Sequence, residues 1–309
     1  MITSMTRREV FAGALCASAL WGKKLDRSRI SVITDEIGKT ADDAIAFARQ
    51  YGLQWVELRS VPDTRKEYAF LPEPEVKAAA AALAANGLKV SFLNTSLLKF
   101  AWPGTAPVRR REETDEARTK REAVEKVRFE RRLEDLKKAI YAAHLFGVDK
   151  LRVFTGVRVA DPKSLYPRIA EVLGEMAFIA EKEKVYLLVE NEGSCNVGTC
   201  SELVDILKLV PSKWVGINWD PQNGLAHKEV PFPDGYNLLP KKRLFNVQIK
   251  GKGIMPDSPD RLDWKAIMQA LDRDGYKGKL GLETHIFDGT LIAASHVSTK
   301  EILRLIGEL

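Results

Sequence analysis

Histidine and cysteine are scarce in this chain, which has only four histidines and three cysteines among 309 residues. Zinc sites of the structural kind and multinuclear metal clusters are built from these residue types, so both are disfavoured. Cys16 falls in the N-terminal segment. Cys195 and Cys200 share one short loop sequence, where either a small disulfide or two free thiols would fit the spacing.

Long apolar runs are also missing. The uncharged stretch at 12–22 is about half the ~20 residues that span a bilayer, so no stable membrane span is expected. It follows Arg7 and Arg8 and contains the small residues Ala17-Ser18-Ala19. This order predicts a twin-arginine-type export signal over residues 1–25 and a periplasmic or otherwise exported protein. The alternative is an ordinary amphipathic N-terminal helix on a cytoplasmic protein.

No strong excess of one charge is present, because 48 Lys and Arg stand against 42 Asp and Glu. The basic residues alternate with acidic ones along helical stretches, and the run Arg109-Arg110-Arg111 reads as a solvated loop, so no nucleic-acid partner is expected. No Pro/Ser-rich linker divides the chain. Residues 26–309 are therefore predicted to form one domain. Association into a homo-oligomer is compatible with the sequence, but no pattern identifies an interface.

What is present is a regular alternation of short β-branched runs with longer amphipathic segments, which is typical of parallel βα units. Eight strands are predicted, the number that closes a barrel. They are 29–35, 55–59, 88–94, 150–154, 185–190, 215–220, 244–250 and 280–284. Helices are predicted at 41–51, 73–86, 121–146, 164–183, 201–209, 263–274 and 298–307. Left-handed glycines are expected at helix ends, at Gly52, Gly87, Gly147 and Gly275.

A doubly wound open sheet is the rival architecture. Such sheets carry a glycine-rich phosphate loop after the first strand, but the segment here, Asp35-Glu36-Ile37-Gly38-Lys39, has one glycine only. We therefore predict an α/β protein with a single (β/α)8 TIM barrel.

Four oxygen-bearing side chains fall at the ends of the last four predicted strands. Glu190, Asp220, Gln248 and Glu283 are separated by 30, 28 and 35 residues, each close to the roughly 30 residues of one βα repeat. Because the carboxyl ends of barrel strands meet at one mouth, we expect these side chains to converge.

Three carboxylates gathered in one buried site would repel one another unless a cation lies between them. The donor set contains only oxygen ligands, which favours a hard ion such as Mn²⁺ or Mg²⁺ over zinc or copper. The sequence therefore predicts one divalent metal ion, held by Glu190, Asp220, Gln248 and Glu283.

Taken together, these segments resemble the xylose-isomerase-like TIM-barrel superfamily, which is the sugar phosphate isomerase/epimerase family. The likeness runs from about Ile30 to the C-terminus. It is carried by Val189-Glu190-Asn191, Asn218-Trp219-Asp220-Pro221-Gln222-Asn223, Asn246-Val247-Gln248-Ile249-Lys250, Leu282-Glu283-Thr284-His285, Ile33-Thr34-Asp35-Glu36 and Trp55-Val56-Glu57-Leu58-Arg59.

The resemblance implies a metal-dependent sugar isomerase or epimerase acting on a small polyhydroxylated carbonyl compound. Glu190 and Glu283 would be catalytic, exchanging the substrate proton through a metal-stabilised enediolate. A metal-dependent lyase that eliminates a group from a keto-sugar or glycoside is the first alternative, and a non-catalytic exported sugar-binding protein is the second. Predicted substrate-binding residues are Asn223, Lys250, His285, His227, Glu57 and Asn94.

Overall fold

The computed structural model describes residues 25–108 and 112–307. The predicted export signal, apart from Leu25, lies outside the described residues, as does the run 109–111. Eight parallel strands form a closed barrel in sequence order, with β8 pairing to β1. Their bounds are β1 Ile30–Ile33, β2 Trp55–Leu58, β3 Lys89–Leu93, β4 Lys150–Val153, β5 Tyr186–Glu190, β6 Val215–Trp219, β7 Leu244–Lys250 and β8 Lys279–Glu283. Every predicted strand is present with ends within two residues, and the (β/α)8 barrel is confirmed.

Helices cover the outside of the barrel. Their bounds are α1 Ala41–Gln50, α2 Glu73–Ala85, α3 Asp115–Glu130, α4 Arg132–Phe146, α5 Tyr166–Glu183, α6 Cys200–Leu209, α7 Pro221–Gly224, α8 Tyr236–Leu238, α9 Gly251–Ile254, α10 Trp264–Arg273 and α11 Leu291–Leu305. Short 3₁₀ turns lie at Arg27–Arg29, Thr34–Glu36, Tyr68–Phe70, Pro162–Leu165, Leu225–His227 and Lys241–Arg243. None of the helices in the described part of the chain combines the length and apolar character that a membrane span requires.

The prediction of one helix over 121–146 was wrong. The segment forms α3 and α4, which are separated at Arg131. Helix α3 packs on the loop that follows β3: the rings of Phe129 and Trp102 lie 5.4 Å apart, and Arg128 lies 4.5 Å above the ring of Phe100. The break lets α3 turn onto this loop. The helix break depends on a tertiary contact and not on proline or glycine, so the local sequence does not predict the break.

The last helix was also misplaced, since α11 begins at Leu291 and not near 298. In the structure the Ser295 hydroxyl bonds the carbonyl oxygens of Glu36 and Leu291 and contacts the hydroxyl of Thr284 at 2.6 Å. These contacts satisfy the hydroxyl within the helix, so its usual preference for turns is overridden.

Apolar residues fill the space between strands and helices, whereas the upper barrel interior is polar. The main cluster includes Ile30, Leu151, Leu187, Leu136, Met176 and Leu203. Strand register then aligns the mouth, because Lys250 pairs with Glu283 and Glu190 pairs with Asn218. The side chains at 246, 248 and 250 alternate along β7 onto one face, the face that lines the interior.

Cys195, in the loop between β5 and α6, and Cys200, the first residue of α6, are free and fully buried thiols. Asn196 fixes this loop by donating to the carbonyl oxygen of Thr155 at 2.8 Å and accepting from the amide of Val159 at 3.0 Å. Of the two outcomes that the cysteine spacing left open, the structure has the free thiols.

Candidate active site

Three acids meet at the carboxyl end of the barrel, as predicted. Glu190 ends β5, Asp220 follows β6 directly and Glu283 ends β8. Each contributes one carboxylate oxygen to a group in which all these atoms lie within 4.8 Å of one another. The three residues are at most 4% exposed, so the acids form a buried cluster and are not solvated strand ends.

A common feature of the cluster is oxygen atoms that have no hydrogen-bond partner. Asp220 Oδ2, Gln248 Oε1 and Glu283 Oε2 are buried and accept no hydrogen bond. Asp220 Oδ2 does have a charged neighbour, because Lys250 Nζ lies 3.1 Å from it as an ion pair. Buried acceptors without a hydrogen-bond donor are costly, so these oxygen atoms are suited to bind a positively charged ligand. An all-oxygen donor set of this kind fits a divalent cation.

Asp220 owes its orientation to the helix that follows it. It is the N-cap of α7, and its Oδ1 accepts from the backbone amides of Gln222 at 2.9 Å and Asn223 at 3.1 Å. Pro221 at the first helical position fits this start, because proline lacks the amide hydrogen that would otherwise need a partner. The cap occupies one carboxylate oxygen and leaves Oδ2 for the interior.

Three cations hold the carboxylates in place. Arg152 donates to Glu190 Oε2 at 3.3 Å, Arg59 donates to Glu283 Oε1 at 2.9 Å, and Lys250 pairs with Asp220. Burial works to lower the pKa of Lys250, but the Asp220 and Glu283 carboxylates outweigh burial and raise it. The positive charges therefore persist inside the site and offset part of the repulsion between the acids.

The same environment separates the acids by their pKa values. Burial raises the pKa of Glu190 to about 7 against the effect of Arg152, and it raises the pKa of Asp220 to about 6 against Lys250. Burial also works to raise the pKa of Glu283, but Lys250 and Arg59 outweigh it and hold that pKa well below its usual range.

The predicted substrate-binding residues fall into three groups. Lys250 donates to Asn223 Oδ1 at 2.5 Å, and His285 Nδ1 lies 3.7 Å from Glu283 Oε1, so these three residues border the cluster. His227 lies elsewhere, with its ring nitrogen 3.0 Å from the carbonyl oxygen of Gly193 and its ring packed against the β5–α6 loop.

Glu57 and Asn94 lie deep in the barrel, where Asn94 donates to Glu57 Oε2 at 2.8 Å. Both are nearly or fully buried. Burial raises the pKa of Glu57 although the surrounding donors oppose it.

Several charged residues at the site were not among the predicted site residues. Glu36, fully buried, accepts from Arg59 at 2.8 Å and from the His285 backbone amide at 3.0 Å. Burial raises the pKa of Glu36 to about 7 against Arg59. Lys99 donates to Glu192 at 2.7 Å at the rim. The acidic pair Asp35-Glu36 after β1 and the segment Glu57-Leu58-Arg59 at the end of β2 were visible in the sequence, but no pattern says which partner each side chain contacts.

The fold agrees with comparisons to known proteins. The sequence profile of the xylose isomerase-like TIM barrel family matches residues 45–306. No match was found among curated proteins. Solved structures at low identity share the fold. The 3-keto-D-glucoside 4-epimerase YcjR from E. coli has a TM-score of 0.64 and 14% identity, covering 90% of this chain and 98% of its own.

Two further structures contain metal. The IOLI protein with a zinc atom has a TM-score of 0.66 and 16% identity over 91% of this chain and 98% of its own. A xylose isomerase-like TIM barrel protein from Mycobacterium smegmatis in complex with magnesium has a TM-score of 0.65 and 16% identity over 90% and 96%. The profile match spans most of the sequence, and this chain therefore belongs to the xylose isomerase-like TIM barrel family.

Proposed function

We propose that this protein is a divalent-metal-dependent isomerase or epimerase of a small polyhydroxylated carbonyl compound, using Mn²⁺ or Mg²⁺. The observation that carries the proposal is the group of three buried carboxylates, Glu190, Asp220 and Glu283, whose oxygen atoms lie within 4.8 Å of one another. Buried oxygen atoms of Gln248 and Glu283 that accept no hydrogen bond support it. Epimerase and magnesium-bound relatives with this fold are consistent with it.

Glu190, Asp220, Gln248 and Glu283 would hold the ion. The ion, when bound, supplies Lewis-acid stabilisation of negative charge on substrate oxygen atoms. Glu190 and Glu283 would move the proton: one carboxylate takes it from the carbon next to the carbonyl, and the other, or the same one, returns it. Their oxygen atoms lie within 4.8 Å of each other in the acid group, so both can reach one small substrate.

Lys250 and His285 would bind substrate hydroxyl oxygens at the rim of the acid cluster. The cations that contact the predicted ligands are each paired with a carboxylate: Arg59 with Glu283, Arg152 with Glu190 and Lys250 with Asp220. None of these three is left to neutralise a phosphate group. This pairing favours an uncharged sugar or keto-sugar over a sugar phosphate, which also suits a protein outside the cytoplasm.

The test is metal content followed by isotope exchange. Purified protein reconstituted with Mn²⁺ or Mg²⁺ should hold about one ion per chain by elemental analysis, and Asp220→Asn and Glu283→Gln should each lose it. Asp205→Asn makes the same chemical change on the outside of α6 and should keep the ion. The metal-loaded wild type should then exchange deuterium from D₂O into a carbon beside the carbonyl of free or keto sugars.

Other outcomes separate the alternatives. Loss of a leaving group without exchange into recovered substrate would identify a lyase. Sugar binding without turnover, unchanged in Glu190→Gln, would identify a binding protein. A folded wild type that takes up no divalent ion would end the isomerase proposal.

A further inference from the structure

Glu57 is a buried carboxylate that does not belong to the acid cluster. It ends no strand and is fully buried inside the barrel. Oε1 accepts from the Ser31 hydroxyl at 3.0 Å and from Asn246 at 3.2 Å, and Oε2 accepts from Asn94 and Gln248, both at 2.8 Å. Because β2 and β7 are not neighbours in the sheet, the bonds to residues 246 and 248 cross the barrel.

The bond between Glu57 and Gln248 decides which end of the amide faces the site. The oxygen atoms of an ionised carboxylate can only accept, and Oε2 accepts from Asn94 and Gln248. The Gln248 NH₂ group must then face Glu57, and its carbonyl oxygen must face away from Glu57. That oxygen, Oε1, is buried and accepts no hydrogen bond.

The other oxygen of Glu57 fixes a second line of amides. The Asn246 NH₂ group donates to Glu57 Oε1 and also to Asn218 Oδ1, at 3.2 and 3.0 Å. With its oxygen engaged, Asn218 turns its NH₂ group to Glu190 Oε2 and donates at 2.6 Å. Two hydrogen-bonded arms therefore begin at the Glu57 carboxylate. The direct arm is the bond to Gln248, and the relayed arm runs through Asn246 and Asn218 to Glu190.

The backbone is shaped around this carboxylate. The β2–β3 pairing shifts register between Val56 and Glu57, an irregularity of the kind that re-aims a side chain. On the opposite side, Gly281 leaves the space that Glu57 occupies, since a Cβ there would lie 2.0 Å from Oε1. In the β6–β7 pairing a second shift falls between Ile217 and Asn218, on the relayed arm.

We propose that Glu57 is a positioning residue that orients the Gln248 carbonyl oxygen and the Asn218 amide toward the metal site, and that ion affinity depends on it. The inference rests on the proposed function for the existence of the ion. A glutamine at position 57 has one oxygen in place of two, so one of the two arms must lose its acceptor. Substitutions behind metal ligands typically weaken ion affinity by about 10- to 100-fold.

The experiment is calorimetric titration of Mn²⁺ into the apo wild type and variants whose folding is checked by circular dichroism and melting temperature. Glu57→Gln should bind Mn²⁺ about 10- to 100-fold more weakly. Ser31→Ala removes a donor to the same carboxylate but leaves all three amides, so it should bind within about threefold of wild type.

A rescue variant separates orientation from general damage. In Glu57→Gln/Gln248→Glu the group at 248 is a carboxylate with an oxygen on each side, so it needs no orienting, while glutamine at 57 can donate to it. This double variant should recover at least about tenfold in Mn²⁺ affinity over Glu57→Gln.

Three results would overturn the inference. Glu57→Gln could bind as tightly as wild type, it could lose no more affinity than Ser31→Ala, or the double variant could fail to recover. Each leaves the metal site itself intact. A wild type that binds no Mn²⁺ would instead remove the proposed function and the inference together.

Discussion

A single missing side chain makes room for the buried charge at position 57. Gly281 lies in β8 two residues before Glu283, on the same face of the strand. Any larger residue would have to displace the Glu57 carboxylate or the backbone around it, because the nearest carboxylate atoms lie within 3 Å of an added Cβ. This glycine is therefore explained by space and not by backbone conformation.

Gly281→Ala is expected to lower the free energy of unfolding by about 1–3 kcal/mol, the usual cost of overpacking. It should also weaken metal binding. Gly174→Ala is the matched control: it lies in the exposed part of α5, where an added Cβ meets nothing within 4 Å. There the same change should stabilise the protein by about 0.5–1 kcal/mol. Urea unfolding measures both, and a Gly281→Ala protein as stable as wild type would contradict the clash.

The residues of the site could be predicted only in part. Glu190, Asp220, Gln248 and Glu283 were visible because strand ends of a barrel share one mouth, whatever their sequence separation. The link from Arg59 to Glu283 joins residues 224 positions apart, and it depends on side-chain direction inside the barrel. Strand alternation gives a facing direction but no partner, so such contacts were beyond the sequence.

At the scale of elements, some helix ends could be predicted from the sequence and others could not. The glycines predicted to end helices all have positive φ, and Gly147 ends α4 at φ 67°. Helix α5, however, ends at Lys184 with φ 57°, in the left-handed region where a side chain is strained. No glycine marks this end, so only the structure reveals the conformation. The lysine is exposed and has room to be replaced.

Lys184→Gly is expected to stabilise the protein by up to about 1 kcal/mol, because glycine adopts positive φ without strain. The reverse change at the equivalent position of α4, Gly147→Ala, should destabilise it by about 1 kcal/mol, even though an added Cβ would contact nothing within 4 Å. Melting temperatures of the two variants should therefore move in opposite directions. Equal shifts would mean that the cap conformation does not limit stability.

The helix pair α3–α4 marks the limit of prediction for elements. Periodicity over 121–146 is continuous, and it identified a helical region correctly. The break at Arg131 arises where Phe129 and Trp102 pack together, a contact between α3 and a loop that precedes it. Local propensity is silent on a contact of this kind, whereas the eight strands were predictable because each carries its own apolar run.

For the whole molecule, the proposed export rests on the sequence of residues 1–25, nearly all of which lie outside the described residues. We expect residues 1–25 fused to a folding reporter to carry the folded reporter out of the cytoplasm of a bacterium that has the twin-arginine route. Changing Arg7 and Arg8 to lysine should retain it inside, which cell fractionation measures. If the unchanged segment also leaves the reporter in the cytoplasm, the export proposal fails, and the preference for an unphosphorylated substrate would then rest on the paired cations alone.

The two buried cysteines, Cys195 and Cys200, can report on local unfolding of the barrel. Burial raises the pKa of the Cys195 and Cys200 thiols, and only an exposed thiolate reacts readily with a disulfide reagent. In the native state both should be inert, even in an oxidising compartment. Their modification then requires the β5–α6 region to open. The labelling rate of Cys195 and Cys200, measured separately from that of Cys16, therefore reports how often this side of the active site unfolds.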